Sequence, residues 1–424
     1  MSDVEPTVRS PASISLGHKD DPYAVIRNRN FVLYLISRFI ASLGQQMLTV
    51  AVGWEIYERT HSALALGLVG LTQMVPMVVA TLPAGHVADN YDRRRIILVM
   101  TLGVACASFG LAATSMFQWH VGCIYLCLLV AGTARTFLWP ASAAFLPSLV
   151  PRRIFSRAVT WNTGSFHLSS VLGPAAGGGL IALFHSATVV YALNGAILVV
   201  CFVLICLVRG QQVLPKKEKM TPASLVAGFR FVFANQIILG TITLDMFAVL
   251  LGGATALLPV YAKDILQVGP TGLGILQAAL PSGALITAFI LAHRPPLQKA
   301  GGALLWSVAG FGAATIAFGF STCFWWSFLM LLVCGALDNV SVVVRHTLVQ
   351  ILTPDEKRGR VSAVNSLFIG TSNELGGFES GLVAYLFNPV VSVVAGGIGT
   401  ILVVVATALN WPEIRKYGRL DGQA

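Results

Sequence analysis

The chain has 424 residues, of which 55% are apolar and only 11% charged, and its mean hydropathy is +0.76. Soluble domains carry roughly 25% charged residues, so this chain has too few polar side chains to cover a surface in water. We therefore predict a protein of the lipid bilayer with no enzymatic activity, which excludes a soluble enzyme, a nucleic-acid-binding protein and a single-span anchor.

The apolar residues fall into twelve runs, and each run reaches the length of about 20 residues that a membrane-spanning helix needs. They lie at residues 31–56, 64–86, 95–116, 121–147, 158–184, 186–208, 236–262, 270–292, 301–320, 325–351, 361–386 and 389–410. The predicted fold class is an all-α polytopic membrane protein built of two six-helix bundles.

The polar segments divide the chain into five parts. Residues 1–30 are a predicted cytoplasmic tail, 31–208 the first bundle, and 209–235 a cytoplasmic linker that contains an amphipathic helix. Residues 236–410 form the second bundle, and 411–424 a second cytoplasmic tail.

Lysine and arginine are concentrated on one side of this predicted topology. With both termini in the cytoplasm, 23 of the 28 lie in tails and inner loops, and only Arg59 and Lys263 lie on the opposite face. Because cytoplasmic loops of membrane proteins are enriched in these residues, the count predicts that orientation. The net charge of +10 is thereby explained, and no nucleic-acid partner is expected.

Six of the seven cysteines lie in apolar runs and Cys323 lies between two of them, and all seven are interpreted as small packing residues. The sequence offers no metal-ligand cluster, phosphate-binding loop or pair of nucleophile and base, so we expect neither a metal nor a cofactor.

The two bundles are related as an internal repeat. At an offset of 203 residues, Gly132–Phe184 aligns without gaps onto Gly335–Phe387, with matches that include Pro151 to Pro354. Repeats of parallel topology are typical of transporters that bind substrate between the halves, near the midplane, and alternate access by rocking.

A loop motif adds a family resemblance. Residues 85–94, Gly-His-Val-Ala-Asp-Asn-Tyr-Asp-Arg-Arg, resemble the signature that the major facilitator superfamily carries between helices 2 and 3, with Asn90 and Asp92 as departures. The resemblance implies a secondary transporter with Asp89 placed to interact with a helix N-terminus in the outward-facing state. The implied gating residues are Gly85, Asp89, Arg93 and Arg94.

The stretch Arg135–Gly179 is similar to the branch of the superfamily that contains the enterobactin exporter and macrolide-efflux proteins. Within it, four residues resemble the end of the antiporter signature of exporters, although Thr160 and Ser169 replace the upstream glycines. These four are Gly173, Pro174, Gly177 and Gly178. The alternative interpretation is that they are small residues for close helix packing, with a bend at the proline.

Ionisable side chains inside the predicted helices need a reason, because each costs about 2.5–3.5 kcal/mol at the helix centre. They are Arg38, Arg135, Asp245, Asp338, Arg345, Glu374 and Glu379. Arg135 and Asp338 are repeat mates near the midplane, so we hypothesise that Asp338 carries a transported proton and Arg135 controls its release. A static ion pair is the alternative, and Asp245 is a second proton-coupling candidate. Asp338 and Arg345 share a helix face but are about 10 Å apart along it, so direct pairing would need a third group.

Other polar or aromatic side chains of the predicted helices are candidates for a substrate cavity. They are Arg38, Gln45, Gln46, Phe137, Asn162, Asn339 and Asn365. For Arg38 the alternative is an arginine that extends toward the inner interface.

Together these features predict a monomeric exporter of an amphipathic small molecule, either drug-like or a siderophore, in a bacterial-type inner membrane. A proton gradient would supply the energy, and the bilayer and the transported molecule would be the partners. The alternatives are an uptake carrier, a translocator of lipids or lysolipids, and a non-transporting membrane scaffold.

Overall fold

The structure is a computed structural model that describes residues 23, 25–208, 230–295, 298–354 and 357–418. Within these residues the chain forms twelve long helices: α1 (Arg29–Thr60), α2 (Ala63–Asn90), α3 (Arg93–Met116), α4 (Val121–Leu149), α5 (Phe155–Phe184), α6 (Thr188–Leu207), α7 (Gln236–Leu251), α8 (Gly269–Ala292), α9 (Ala300–Gly319), α10 (Phe324–Leu352), α11 (Arg358–Leu386) and α12 (Pro389–Asn410). A short helix, α13 (Pro412–Lys416), follows.

The predicted fold class is confirmed, since the described part of the chain holds eleven spans that are long and apolar enough to cross a membrane. One of these spans joins α7 to the segment after it, through Ile265. Helix α11 is long but is not among the eleven, because polar and acidic residues such as Asn365, Glu374 and Glu379 interrupt its apolar sequence.

The seventh span differs from the single helix predicted over 236–262. Helix α7 ends at Leu251, and the chain continues as a 3₁₀ turn (Ala254–Leu257), one short α-turn and a π-helical turn (Tyr261–Ile265). The break occurs at Gly252 and Gly253, and at Gly253 the backbone of α11 leaves no room for a side chain: a Cβ there would lie 2.5 Å from the carbonyl oxygen of Gly376. Interruptions of this kind inside a span are typical of functional sites.

The two six-helix halves meet along two helix pairs, α2 with α11 and α5 with α8. Glycines make both crossings close. A Cβ on Gly381 would lie 2.7 Å from the Cα of Gly67, and one on Gly178 would lie 3.0 Å from the Cα of Gly274. Gly178 and Gly381 are repeat mates, so the two crossings are equivalent under the internal repeat.

The bundle has two ends. The terminal face is the end at which α1 begins and α12 ends, and the distal face is the opposite end, where α1 meets α2. Both glycine crossings lie toward the distal face. Residues 1–22, 24, 209–229, 296–297, 355–356 and 419–424 lie outside the described residues, and with them most of the first predicted tail, most of the predicted linker that contains the amphipathic helix, and the end of the second tail.

Candidate functional site

A cavity of about 1180 Å³ lies between the two halves. Helices α1, α2, α4 and α5 supply one wall, while α8, α11 and the broken segment after α7 supply the other. The lining reaches Asp89 in the last turn of α2 and Ala363 in the second turn of α11, so the cavity extends to the terminal face. Apolar side chains dominate the wall, with a smaller number of amides and hydroxyls among them.

Toward the distal face the cavity is closed by polar contacts between the halves. The Lys263 ammonium lies 2.6 Å from the Glu58 carboxylate and 5.9 Å from the centre of the Trp54 ring, and the Tyr57 hydroxyl donates to the Asp264 carboxylate. Lys263 and Asp264 belong to the π-helical turn after α7, whereas their partners lie in the last turns of α1. These contacts join the two halves at the distal face.

The other basic residue of the distal face, Arg59, holds α1 within its own half. It forms an ion pair with Glu55 one turn earlier and donates to the carbonyl oxygens of Trp119 (3.0 Å) and Thr114 (3.3 Å) near the end of α3. A cation at a helix C-terminus is stabilised by the helix dipole. Both basic residues that the sequence places on this face are therefore committed to contacts, one within a half and one between halves.

The charged part of the cavity wall is built from both halves. Arg135 of α4 donates to the side-chain oxygen of Gln73 on α2 at 3.2 Å, and its second terminal nitrogen is buried without a hydrogen-bond partner in the described structure. Glu374 of α11 also lines the cavity and is the acid that acts electrostatically on Arg135. Its carboxylate approaches α2 at Gly70, where a Cβ would lie 3.5 Å away.

Asp338, the expected partner of Arg135, lies elsewhere. It lines a separate void of about 10 Å³ between α7, α9 and α10, inside the second half. Asp245 lines the same void and forms an ion pair with Arg345 of α10. The structure thus brings Asp245, Asp338 and Arg345 together and leaves Arg135 in the cavity, because the face of α10 that carries Asp338 is turned toward its own bundle.

Of the seven residues expected in the substrate cavity, the structure places Gln45 and Gln46 in the wall. Phe137 packs against the apolar cluster at the terminal end of the first half, and Asn365 is buried with 4% of its surface exposed. The five outside the lining are Arg38, Phe137, Asn162, Asn339 and Asn365. Their spacing in sequence does not fix how far each helix is rotated about its axis.

The motif between α2 and α3 lies at the terminal face. Gly85 and Asp89 line the cavity. Arg93 donates to the carbonyl oxygen of Ala144 on α4 at 2.9 Å, and Arg94 donates to that of Ile205 at the end of α6 at 3.2 Å. Both arginines thus tie the loop to other helices of its half.

Asp92, the departure from the family signature, begins α3. Its carboxylate accepts from the backbone nitrogens of Arg94 (2.9 Å) and Arg95 (3.4 Å). Side-chain oxygens at this position satisfy backbone donors that a helix start leaves unpaired, so the substitution has a structural reason.

The helix-5 motif is a contact surface. A Cβ on Gly177 would lie 2.9 Å from the Cα of Met47 on α1, and Gly178 forms the crossing with α8. Pro174 lines the cavity, and Gly173 packs against α1 beside Gln46.

Sequence reasoning missed Gln73 and the distal contacts of Glu58, Tyr57 and Asp264. Lys263 could have been identified from the sequence, because it is one of only two lysine or arginine residues on the predicted non-cytoplasmic face. Gln73 could not, since an uncharged amide in an apolar helix does not stand out until the cavity wall is known.

Comparison with known proteins gives one family. A model described as transmembrane secretion effector matches residues 20–419. The enterobactin exporter EntS of Escherichia coli O1:K1 / APEC is 27% identical over 394 residues, covering 93% of this chain and 94% of the exporter. The enterobactin exporter of Shigella boydii serotype 18 matches with the same identity and coverage.

Solved structures share the fold at low identity. A mutant of the peptide transporter POT superimposes with a TM-score of 0.74 at 11% identity, covering 94% of this chain and 99% of that one. The nucleoside transporter NupG, also as a mutant, gives 0.72 at 12% identity, with coverages of 90% and 100%. A bacterial homologue of the human lysosomal transporter Spinster gives 0.69 at 15% identity, with 92% and 95% covered.

Proposed function

Because the chain belongs to the transmembrane secretion effector family of the major facilitator superfamily, we propose that it exports an amphipathic small molecule from the cytoplasm by alternating access, driven by a proton gradient. The superfamily resemblance of residues 85–94 is confirmed by the family match and by the relatives. The family is one of membrane transporters, which is not a class of enzymes.

The observation that carries this proposal is the cavity between the halves. It is open toward the terminal face and closed at the distal face by contacts that join α1 to the segment after α7. A carrier that rocks about the α2–α11 and α5–α8 crossings would break these distal contacts and expose the same cavity on the other side.

The side on which the carrier loads follows from charge. Lysine and arginine are concentrated at the terminal face, which we therefore propose to be cytoplasmic. In a bacterial-type inner membrane, the structure would then be the state that takes up substrate from inside the cell. Both halves lie in one chain, and we propose that the transporter works as a monomer without a cofactor.

The size and chemistry of the wall favour a large amphipathic substrate. Small-molecule pockets typically measure about 300–1,000 Å³, and this cavity reaches about 1180 Å³. Its apolar wall would accommodate a ring system beside Trp139, while Arg135, Gln73 and Gln277 would bind oxygen atoms. Because Asp89 and Glu374 line the same wall as Arg135, its charges do not select an anion over a cation, and it is the similarity to enterobactin exporters that favours a siderophore over a lipophilic cationic drug.

Retention of enterobactin tests the proposal in an iron-limited bacterial host that lacks its own exporter. Cells with the wild-type chain should release enterobactin at least about threefold faster than cells with empty vector, and the Trp139→Ala variant should lose most of that gain, in line with about 1–3 kcal/mol for one removed pocket contact. A cationic dye and a macrolide are assayed in parallel.

Trp306→Ala is the matched control. Trp306 lies on α9 and is 80% exposed, but it does not line the cavity, so its loss should leave export unchanged at equal abundance in the membrane. Export of the dye or the macrolide instead of enterobactin would overturn the substrate class, and accumulation of any compound inside the cells would favour an uptake carrier.

A further inference from the structure

We propose that the coupling proton is carried inside the second six-helix bundle, on Asp338 beside the Asp245–Arg345 ion pair, and not in the substrate cavity. This inference rests on the proposed proton-driven transport and assigns its ion site. We call the group formed by Asp245, Asp338, Ser341 and Arg345 the bundle site.

The bundle site lies inside the second half, where Asp245 and Arg345 are buried and Asp338 is half-buried. Its void of about 10 Å³ is lined by Asp245, Asp338 and Ser341 together with apolar side chains that include Val308 and Phe311 of α9. None of these residues lines the cavity. A void of this size holds about one water molecule, so the bundle site is separate from the space that the substrate would occupy.

The bundle site has two acidic side chains but only one basic side chain. Asp245 and Arg345 are 6% and 2% exposed, and they neutralise each other. The Nε donor of Arg345 is buried without an acceptor in the described structure, and Asp338 has no ion pair with any described residue. Because an unpaired charge is expensive in the bilayer core, Asp338 is stable there when it carries a proton or shares the guanidinium.

The surrounding helices offer no other ionisable partner. Helices α8 and α9, which pack against α10, carry no ionisable side chain within Gly269–Ala292 or Ala300–Gly319. On α10 itself, Cys334 precedes Asp338 by one turn and His346 follows Arg345. Asp245 is the single ionisable residue of α7.

We infer that one guanidinium serves the two carboxylates in turn. Arg345 lies two turns beyond Asp338, but side chains on a helix slant toward its N-terminus, so the guanidinium is directed back toward Ser341 and Asp338. A small shift of α7 against α10 would transfer Arg345 from Asp245 to Asp338 and displace the proton.

A proton fits the bundle site better than a metal cation does. Hard cations take about six or more oxygen ligands, whereas the bundle site offers two carboxylates and the Ser341 hydroxyl. The adjacent guanidinium would also repel a bound metal ion, while a protonated carboxyl is neutral.

The segment from α7 to the π-helical turn connects the bundle site to transport. Asp245, Ala248 and Val249 of α7 line the void, and the helix ends soon afterwards at Leu251. The broken segment that follows contributes Thr255 and Pro259 to the cavity wall and then enters the turn that carries the distal contacts. A proton-dependent shift of α7 would therefore reach both the substrate and the distal closure.

The test follows conformation directly and needs no substrate. Spin labels are attached to Met116→Cys and Phe320→Cys, two exposed positions of the distal face in different halves, in a chain whose native cysteines are replaced. In lipid nanodiscs, the ratio of distal-open to distal-closed distances should change with pH by up to about tenfold per pH unit, the slope for one bound proton.

Three variants locate the proton. Asp338→Asn should make the ratio independent of pH, Asp338→Glu should keep the pH dependence with a shifted midpoint, and Glu374→Gln should titrate as the wild type does. Loss of the pH dependence in Glu374→Gln with retention in Asp338→Asn would move the proton to the cavity and overturn the inference. A wild type that does not respond to pH would overturn it as well, while leaving enterobactin export to be judged by the retention assay alone.

Discussion

The same helix pair is stabilised differently in the two halves. In the first half, the Tyr34 hydroxyl of α1 donates to the carbonyl oxygen of Ser142 on α4 at 3.1 Å. In the second half, Asp245 of α7 forms an ion pair with Arg345 of α10. Ser142 and Arg345 are repeat mates, so one position of the repeat carries a neutral contact in one bundle and a charge in the other.

The comparison shows that this packing does not require charge. Replacing a buried ion pair by neutral groups of similar size is often neutral or stabilising, and in the first half α1 contacts α4 at Ser142 through a single hydrogen bond to the backbone. We infer that the charges of the second half are retained for transport, at a cost in stability that the first half avoids.

The largest expected effect comes from removing one partner of the Asp245–Arg345 ion pair. Arg345→Met leaves Asp245 buried without its partner, which should lower the free energy of unfolding by about 3–5 kcal/mol. The midpoint of thermal unfolding in detergent, followed by tryptophan fluorescence, measures the loss.

The double variant Asp245→Asn with Arg345→Met is its control and should recover most of the stability while proton-driven transport is lost. If the single variant unfolds at the wild-type temperature, the ion pair does not contribute to the free energy of unfolding, and the two halves do not differ in this respect.

A second prediction tests the symmetry of the two crossings. Gly178→Val and Gly381→Val should each cost about 1–3 kcal/mol through overpacking and should disfavour the closed distal face, because the added side chain meets the backbone of the facing helix. Disulfide formation between Glu58→Cys and Lys263→Cys, which reports that closure, should fall by a similar factor in both variants. A large difference between the two would show that the halves do not contribute equally to rocking.

A third prediction concerns the neutral contact. Tyr34→Phe removes the hydroxyl that donates to Ser142 and should cost about 0.5–1.5 kcal/mol, less than the loss of Arg345. Thermal unfolding should shift slightly and transport should remain proton-driven. A cost equal to that of Arg345→Met would mean that the two contacts are energetically alike.

The smallest effect is expected where the halves meet at the distal face. The Glu58–Lys263 pair is partly exposed, and such pairs contribute about 0.2–1 kcal/mol. Lys263→Gln should therefore shift the distal-open population by at most about fivefold, and high salt should mask the difference. The exchanged pair Glu58→Lys with Lys263→Glu should restore wild-type behaviour, and a failure to do so would show that the contact depends on more than its charge.

Much of the architecture could be predicted from the sequence, but not the course of every helix. The run at 236–262 is long enough for one helix, and in the sequence only Gly252 and Gly253 mark the position of the break. The break forms because α11 approaches there, and a contact between residues more than 120 positions apart has no local signature. By contrast, the polar and acidic residues that set α11 apart from the other helices can be identified directly in the sequence.

The candidate site was predicted unevenly for a related reason. Gln45, Gln46 and Arg135 lie in the cavity, whereas the pairing imagined for Arg135 and Asp338 does not form in this structure. The repeat identified them as equivalent positions, but equivalence in a repeat does not determine which neighbour a side chain faces.

By itself, the sequence determined the bilayer as the solvent, the helical spans, the two-bundle repeat and the family. These follow from hydropathy, residue counts and motifs, which act along the chain. Only the tertiary structure decided that Asp245 pairs with Arg345, that Glu374 lies near Arg135, and that Lys263 joins the halves. A helix turns about 100° per residue, so its rotation within the bundle is set by packing against neighbours that are distant in sequence.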